Sequence, residues 1–284
     1  MILVTGATGT IGSDVVRRLA ARGEKVRALT RDPAKAQVPE GVETAVGHHR
    51  DRVSVEAAMA GVRAAFLVGM FGPEDSGHDR DLVAAAKAAG VRRIVKLSSI
   101  ATGDPAVGPF GTWHLPGERA AQDSGLDWTI LRPSAFASNT LAWAEAVRSG
   151  EPVPNTMGDG GQGVVDPRDV SEVAVRSLLG SGHEGRTYTL TGPEVLSAAD
   201  QAAVLAEVLG RPVATRDLSS AEAAERLRAM GLSDGFIAGA DQSREFIARG
   251  GNAVVTGEVA EVLGREPRTY RQWVQDHRQA FERP

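Results

Sequence analysis

The chain has 284 residues, 42% of them hydrophobic, so it can bury an ordinary core and lacks the bias of a disordered polymer. A net charge of −4 argues against nucleic acid as a partner, because phosphate binding rests on clustered Lys and Arg. There is no cysteine, which excludes disulfides, thiolate metal sites and a Cys nucleophile.

No apolar run approaches the roughly 20 residues that span a bilayer. The first apolar run begins at Ile2, directly after Met1, which leaves no room for a leader peptide. The expectation is a cytoplasmic protein with no membrane partner.

The first 132 residues alternate short apolar runs with helical patterns. Strands are expected at Ile2–Thr5, Lys25–Thr30, Val42–Val46, Ala64–Gly69, Arg93–Ser98 and Asp127–Leu131. They are rich in Val, Ile and Leu and mostly lack polar alternation, as strands covered on both faces should. Helices are expected between them at Ile11–Ala21, Val53–Ala60, Asp79–Ala89 and His114–Asp123. Gly23, Gly61, Gly90 and Gly125 each stand before the next strand, where a left-handed helix end is wanted. Repeated βα units of this kind give a doubly wound parallel sheet, an α/β fold.

After Pro133 the rhythm changes. Ala135–Arg148 reads as a helix, followed by an irregular loop with Pro152, Pro154 and the Gly158–Gly163 run. Asp166-Pro167-Arg168-Asp169 reads as a helix start with Asp166 as N-cap and Pro167 at the first helical position. Thr187–Thr191 is a strand that rejoins the sheet, and Pro212–Asp217 is a short strand in a mainly helical tail. The expected division is a sheet domain of residues 1–149 and 163–192, with a smaller lobe from 150–162 and 193–284.

The first strand leads into Gly6-Ala7-Thr8-Gly9-Thr10-Ile11-Gly12 and then a helix. Gly6 permits the sharp turn, Gly9 lets backbone approach a diphosphate, and Gly12 lets the helix pack closely on the sheet. The helix start offers free N–H groups and the positive dipole end to phosphate. This is the pattern of a Rossmann-type dinucleotide site, and Gly6, Thr8, Gly9, Thr10, Ile11 and Gly12 are its candidate cofactor residues. At the end of the second strand, a site selecting NAD places Asp or Glu for the ribose 2′-hydroxyl. Here Thr30-Arg31-Asp32-Pro33-Ala34-Lys35 puts Arg31 within reach of a 2′-phosphate, with Lys35 adding charge, which favours NADP(H). The alternative is a solvated Arg31 with Asp32 on the ribose, which would select NAD(H).

With these stretches, Phe66-Leu67-Val68, Lys96-Leu97-Ser98-Ser99, Trp128-Thr129-Ile130-Leu131-Arg132-Pro133, Asn139, Leu190-Thr191-Gly192-Pro193 and Leu209-Gly210-Arg211-Pro212 complete a pattern running nearly end to end. The sequence resembles the NmrA-like atypical short-chain dehydrogenase/reductases, which include quinone- and triphenylmethane-dye-reductase-like proteins and redox-sensing regulators. The resemblance implies NADP(H) binding, a C-terminal lobe forming a pocket against the nicotinamide, and cofactor contacts from Val68, Gly69, Ser98, Pro133 and Phe136. Loops near Gly69–Phe71 and Pro133–Phe136 would flank the cofactor. One departure is Gly47-His48, where the family has Gly-Asp approaching the adenine.

Ordinary short-chain dehydrogenases use Tyr and Lys four residues apart on one helix. The two tyrosines here, Tyr188 and Tyr270, are followed at that spacing by Gly192 and Val274. His114 and Glu118, one turn apart, are the candidate catalytic pair, since a nearby carboxylate favours the imidazolium and makes His114 a proton donor. Alternatively Glu118 serves the helix N-terminus and His114 lines the pocket. Gly231-Leu232-Ser233-Asp234-Gly235 fits a hydrolase G-x-S-x-G pattern with His277 downstream, but a helix at Ala221–Met230 precedes it where a strand is needed. The His48–His49 pair lacks metal-site spacing. Phe110, Trp113, Phe136 and Trp143 either line a planar acceptor's pocket or are ordinary core.

The leading expectation is an NADPH-dependent reductase of a small conjugated or aromatic acceptor such as a quinone. The rival is a non-catalytic NADP(H) sensor reporting to a protein partner; isomerase or epimerase chemistry with a retained cofactor is the third reading. A homo-oligomer remains open.

Overall fold

The computed structural model describes residues 1–48, 51–69 and 77–282. The chain divides into two compact units. The first comprises Met1–Gly103, Thr112–Pro133 and Pro167–Thr189; the second comprises Asp104–Gly111, Ser134–Asp166 and Leu190–Pro284.

The first unit alternates β1 (Ile2–Val4), α1 (Thr10–Ala20), β2 (Val26–Thr30), β3 (Glu43–Val46), α2 (Arg52–Met59), β4 (Ala64–Leu67), α3 (His78–Ala88), β5 (Arg93–Leu97), α4 (Leu115–Gln122) and β6 (Asp127–Pro133). The chain then forms α5 (Ala144–Ser149), β7 (Val153–Asn155) and β8 (Gln162–Gly163), which belong to the second unit. It completes the first with α6 (Pro167–Leu179) and β9 (Arg186–Leu190).

The seven strands run in the order β3-β2-β1-β4-β5-β6-β9, and the pairings from β3 through β6 are all parallel. Burial on both faces explains the absence of polar alternation: every residue of β1 and β4 is buried. One face packs Leu3, Leu29, Ala65, Leu67 and Ile94 against Val55, Met59, Leu82, Ala86 and Ala121 of α2, α3 and α4. The side chains alternating with these face α1 and α6, which pack on each other and on the sheet. The four helix-terminal glycines all adopt the left-handed conformation expected of them, with φ of +71 to +75°.

Strand order reverses at β1, which lies between β2 and β4. In an open α/β sheet the crevice outside the strands' carboxyl ends at such a reversal is where ligands bind. Gly6 follows β1 at that edge, and Val68 and Gly69 follow β4.

The second unit adds β10 (Val195–Leu196), α7 (Ala198–Leu209), β11 (Thr215–Asp217), α8 (Ser220–Ala229), α9 (Asp234–Ala248), α10 (Glu258–Leu263) and α11 (Tyr270–Asp276). Its core joins Val153, Leu205, Tyr270, Trp273, Val274 and Phe281 to Ala137 and Val147. Residues 134–149 therefore pack with the C-terminal helices, and the units differ there from the division at 149 expected from sequence. The helix expected over Ala135–Arg148 is instead a 3₁₀ stretch at Ala137–Trp143 followed by α5. Ser138-Asn139-Thr140 supplies the physical reason, because short polar side chains compete with the helical backbone. The Thr140 hydroxyl is committed instead to the Tyr270 phenol at 2.9 Å. No helix among the described residues is long and apolar enough to cross a membrane.

Candidate active site

The glycine turn has the mechanics its sequence implies. Gly6 has φ +59°, and a Cβ there would lie 3.1 Å from Val68 Cβ. A Cβ on Gly12 would lie 2.1 Å from the Gly6 carbonyl oxygen, so α1 can start this close to the turn only with glycine. Thr5 secures the turn from below: its hydroxyl accepts from the Val68 amide at 2.7 Å, and its own amide bonds Phe66 O at 3.0 Å. Gly6, Thr8, Gly9 and Thr10 are exposed at the tip, while Ile11 and Gly12 are buried. The α1 N-cap is Gly9, with no side-chain cap and no acidic residue in the first turn. The leading amides of α1 are thus presented without a carboxylate competing for them. The residues fit a dinucleotide diphosphate, since the exposed turn leads straight into an uncapped helix start with no acidic residue in its first turn.

Arg31 is exposed just past β2, and among the described residues it makes no ion pair. The Asp32 carboxylate accepts from the Ala34 amide at 3.1 Å and caps the 3₁₀ turn at Pro33–Lys35. That use as a cap weighs against the alternative in which Asp32 holds the ribose. The Lys35 side chain lies outside the described residues. At the end of β3, the His48 amide donates to Ser54 Oγ at 3.2 Å; His49, Met70 and Phe71 lie outside the described residues.

Farther along the same carboxyl edge stand two buried polar clusters. In the first, Glu118 on α4 accepts from Ser98 Oγ, which follows β5, and from the Arg132 guanidinium on β6 through both carboxylate oxygens, with Nε at 2.9 Å. Ser98 Oγ also lies 3.2 Å from Thr102 Oγ1. In the second, Lys96 Nζ sits 2.6 Å from Asp79 Oδ2, and His114 Nδ1 lies 3.0 Å from the same oxygen.

These contacts correct the expected His114–Glu118 pair. The two are linked through backbone, the Glu118 amide donating to His114 O at 2.9 Å, but their side chains choose different partners. A guanidinium matches a carboxylate in two bonds and takes Glu118, while the imidazole shares the Asp79 carboxylate with Lys96. Lys96, Asp79 and Arg132 were not among the candidates from sequence. Lys96 carries a signal, since it is the charge within the apolar stretch Ile94-Val95-Lys96-Leu97, where burial demands a partner. Asp79 reads from sequence only as a helix start.

Pro133 ends β6 in the first unit, buried; Phe136 is half-buried in the second, where Ala137 and Val165 pair its neighbourhood. The second unit holds a cavity of about 270 Å³ lined chiefly by apolar groups, among them Phe110, Met157, Leu227, Ile237 and Ile247, with Arg244 at its wall. Phe110 tilts against Phe236 at 5.2 Å, and Trp143 packs on the α7–α11 core. Ser233 is the N-cap of α9 and follows a helix, so the Gly231–Gly235 run forms no nucleophile elbow. Among the described residues no group of His, Asp or Glu could hold a metal ion.

A glycine turn at the reversal point of a parallel sheet, opening onto an uncapped helix, defines a dinucleotide-binding protein of the Rossmann class. A family profile described as NAD(P)H-binding matches residues 6–180, and the chain belongs to that family. It is 43% identical, over 99% of both chains, to (4-alkanoyl-5-oxo-2,5-dihydrofuran-3-yl)methyl phosphate reductase of Streptomyces griseus. It is 35% identical, again over 99% of both, to the NAD(P)H azoreductase of Xenophilus azovorans. The NADPH complex of the NADPH-dependent quinone oxidoreductase of Escherichia coli superposes with a TM-score of 0.85 at 28% identity, covering 98% of this chain and 99% of that one. The resemblance to atypical short-chain dehydrogenase/reductases of the quinone-reductase type is borne out.

Proposed function

We propose that the protein is an NADPH-dependent reductase of a small conjugated acceptor. The observation that carries this reading is the exposed Gly6–Thr10 turn leading into an uncapped α1. Its support from relatives is chemical: a quinone, an azo compound and an oxo-dihydrofuran each offer an electrophilic conjugated bond to the proteins named for reducing them. NADPH, when bound, supplies the hydride.

The chain's own residues do the rest. Amides of Thr10, Ile11 and Gly12 take the diphosphate at the positive end of α1. Gly6 and Gly9 let backbone approach, Thr8 lines the turn, and Val68 and Gly69 border it. Arg31, with Lys35, takes the 2′-phosphate and selects NADP(H) over NAD(H). Ser98 and Pro133 position the nicotinamide. Glu118 fixes Ser98 and Arg132, and His114 donates the proton that the reduced acceptor requires. A conjugated acceptor is already electrophilic, so the absent Tyr–Lys pair is no obstacle. The same reading makes the partner a small molecule and the location cytoplasmic, to be checked by cell fractionation.

Steady-state NADPH oxidation against a panel of quinones, an azo dye and an unsaturated lactone tests this. Turnover with at least one acceptor is expected. Tight NADPH binding with no turnover across the panel would sink the reductase reading and favour a sensor.

A further inference from the structure

Three titratable side chains at the carboxyl edge of β4 and β5 form a buried cluster. Asp79 from α3, Lys96 from β5 and His114 ahead of α4 are all more than nine-tenths buried. Lys96 Nζ donates to Asp79 Oδ2 at 2.6 Å and to Leu97 O at 3.0 Å; His114 Nδ1 lies 3.0 Å from Asp79 Oδ2 and 3.3 Å from Nζ. Two glycines make room for the group. A Cβ on Gly117 would lie 2.3 Å from Asp79 Cβ and 2.6 Å from Lys96 Cε, and one on Gly69 would lie 2.0 Å from Asp79 Oδ1. Among the described residues Asp79 Oδ1 has no hydrogen-bond partner.

A buried ion pair is a poor stabiliser, because desolvation offsets most of the attraction and apolar replacements often do as well. This pair does something an apolar pair cannot: it engages one nitrogen of one imidazole. An ammonium donates but never accepts, so a proton on Nδ1 can go only to Asp79, and Asp79 is the nearer of the two. Such a hydrogen bond at one ring nitrogen decides which nitrogen is left for chemistry.

We infer that Asp79 and Lys96 are positioning residues that hold His114 as the Nδ1–H tautomer and reserve Nε2 for proton transfer to the acceptor. This rests on the reading of His114 as proton donor. In the step, the Nε2–H bond of the imidazolium breaks and its electron pair stays on Nε2. The proton joins the acceptor as the nicotinamide's hydride reduces it, and solvent reprotonates the ring. Asp79 balances the imidazolium charge, and Lys96 holds the same carboxylate oxygen at 2.6 Å. Among the described residues the charged groups facing the ring are Asp79 from α3 and Lys96 from β5; Glu118, on the helix that His114 precedes, is occupied by Arg132 and Ser98.

The test is ¹⁵N NMR of protein carrying ¹⁵N-histidine, without nucleotide or acceptor, with His114 signals identified by their loss in His114→Gln. Above the titration range, wild type should show a protonated Nδ1 and a bare Nε2. The double variant Asp79→Asn/Lys96→Met removes both charges together, so no lone charge is left buried. It should revert to the Nε2–H tautomer and lose more than tenfold in kcat with KM for NADPH unchanged. A wild-type ring protonated on Nε2, with Lys96 donating to Nδ1, overturns the inference; so does a double variant that keeps the tautomer or full kcat. Because the tautomer is read without turnover, failure of the reductase reading would show separately, as an inactive protein.

Discussion

Gly12→Ala places one methyl group where the structure has no room for it. The Cβ would meet the Gly6 carbonyl oxygen at 2.1 Å and the Gly6 carbonyl carbon at 2.7 Å. That is about 1 Å short of ordinary contact, and both neighbours are backbone, so no side chain can swing aside. The start of α1 and the Gly6–Gly9 turn must separate, which moves the leading amides away from the diphosphate. A hydrogen bond to a charged group contributes about 1.5–3 kcal/mol. Losing one weakens NADPH roughly tenfold, and losing two weakens it at least about a hundredfold. Gly23→Ala is the control, because Gly23 has a left-handed φ of +75° but open space around it. It should cost about 1 kcal/mol of stability through backbone strain and leave NADPH affinity alone. Fluorescence titration of NADPH into both variants, with thermal melts alongside, separates the effects. A Gly12→Ala protein that binds NADPH as wild type does would refute the reasoning.

Three further outcomes follow from other parts of the molecule. Arg31→Ala should weaken NADPH about 10- to 100-fold while leaving NADH within a factor of about two, since only the 2′-phosphate loses its partner; equal losses for both nucleotides in calorimetry would contradict that role. Arg132→Ala strands the Glu118 carboxylate, only 2% exposed, while Arg132 itself is 28% exposed. The cost should reach up to about 3 kcal/mol, read as a lowered Tm, with Glu118→Gln less damaging because it leaves no buried charge. Burial holds the His183 imidazole below its ordinary value of 6.5, the opposing pull of Glu184 being smaller. The unfolded chain therefore binds this proton first, so the stabilising effect is present above about pH 6.5 and lost as pH falls through the folded-state value. Denaturant melts of His183→Gln should show a flatter pH dependence below 6.5 than wild type; an unchanged slope would remove His183 as its source.

What could be read in advance was what rests on local pattern. Strands such as Ile2–Val4 and Ala64–Leu67 announce themselves by unbroken apolar runs, and glycines before the strands mark helix ends because only they relax into the left-handed conformation. The nucleotide turn was legible for the same reason, its three glycines lying within seven residues. The polar clusters were not. Asp79 and His114 are 35 residues apart, and Glu118 meets Arg132 across 14, so the first pairing depends on how α3 packs against α4 and the second on how α4 lies against β6. Helical spacing offered His114 and Glu118 a plausible pairing, and a bidentate guanidinium from the next strand overrode it. The stretch after Pro133 misled in another way. Its apolar spacing suits a helix, but Thr140 is drawn to a phenol 130 residues away, which no local rule anticipates.

The most direct measurement is a crystal structure with NADPH bound. The diphosphate should lie within hydrogen-bonding distance of the Ile11 and Gly12 amides, with the Arg31 guanidinium on the 2′-phosphate. A nucleotide seated elsewhere, or a Gly6–Gly12 turn closed against it, would contradict the account.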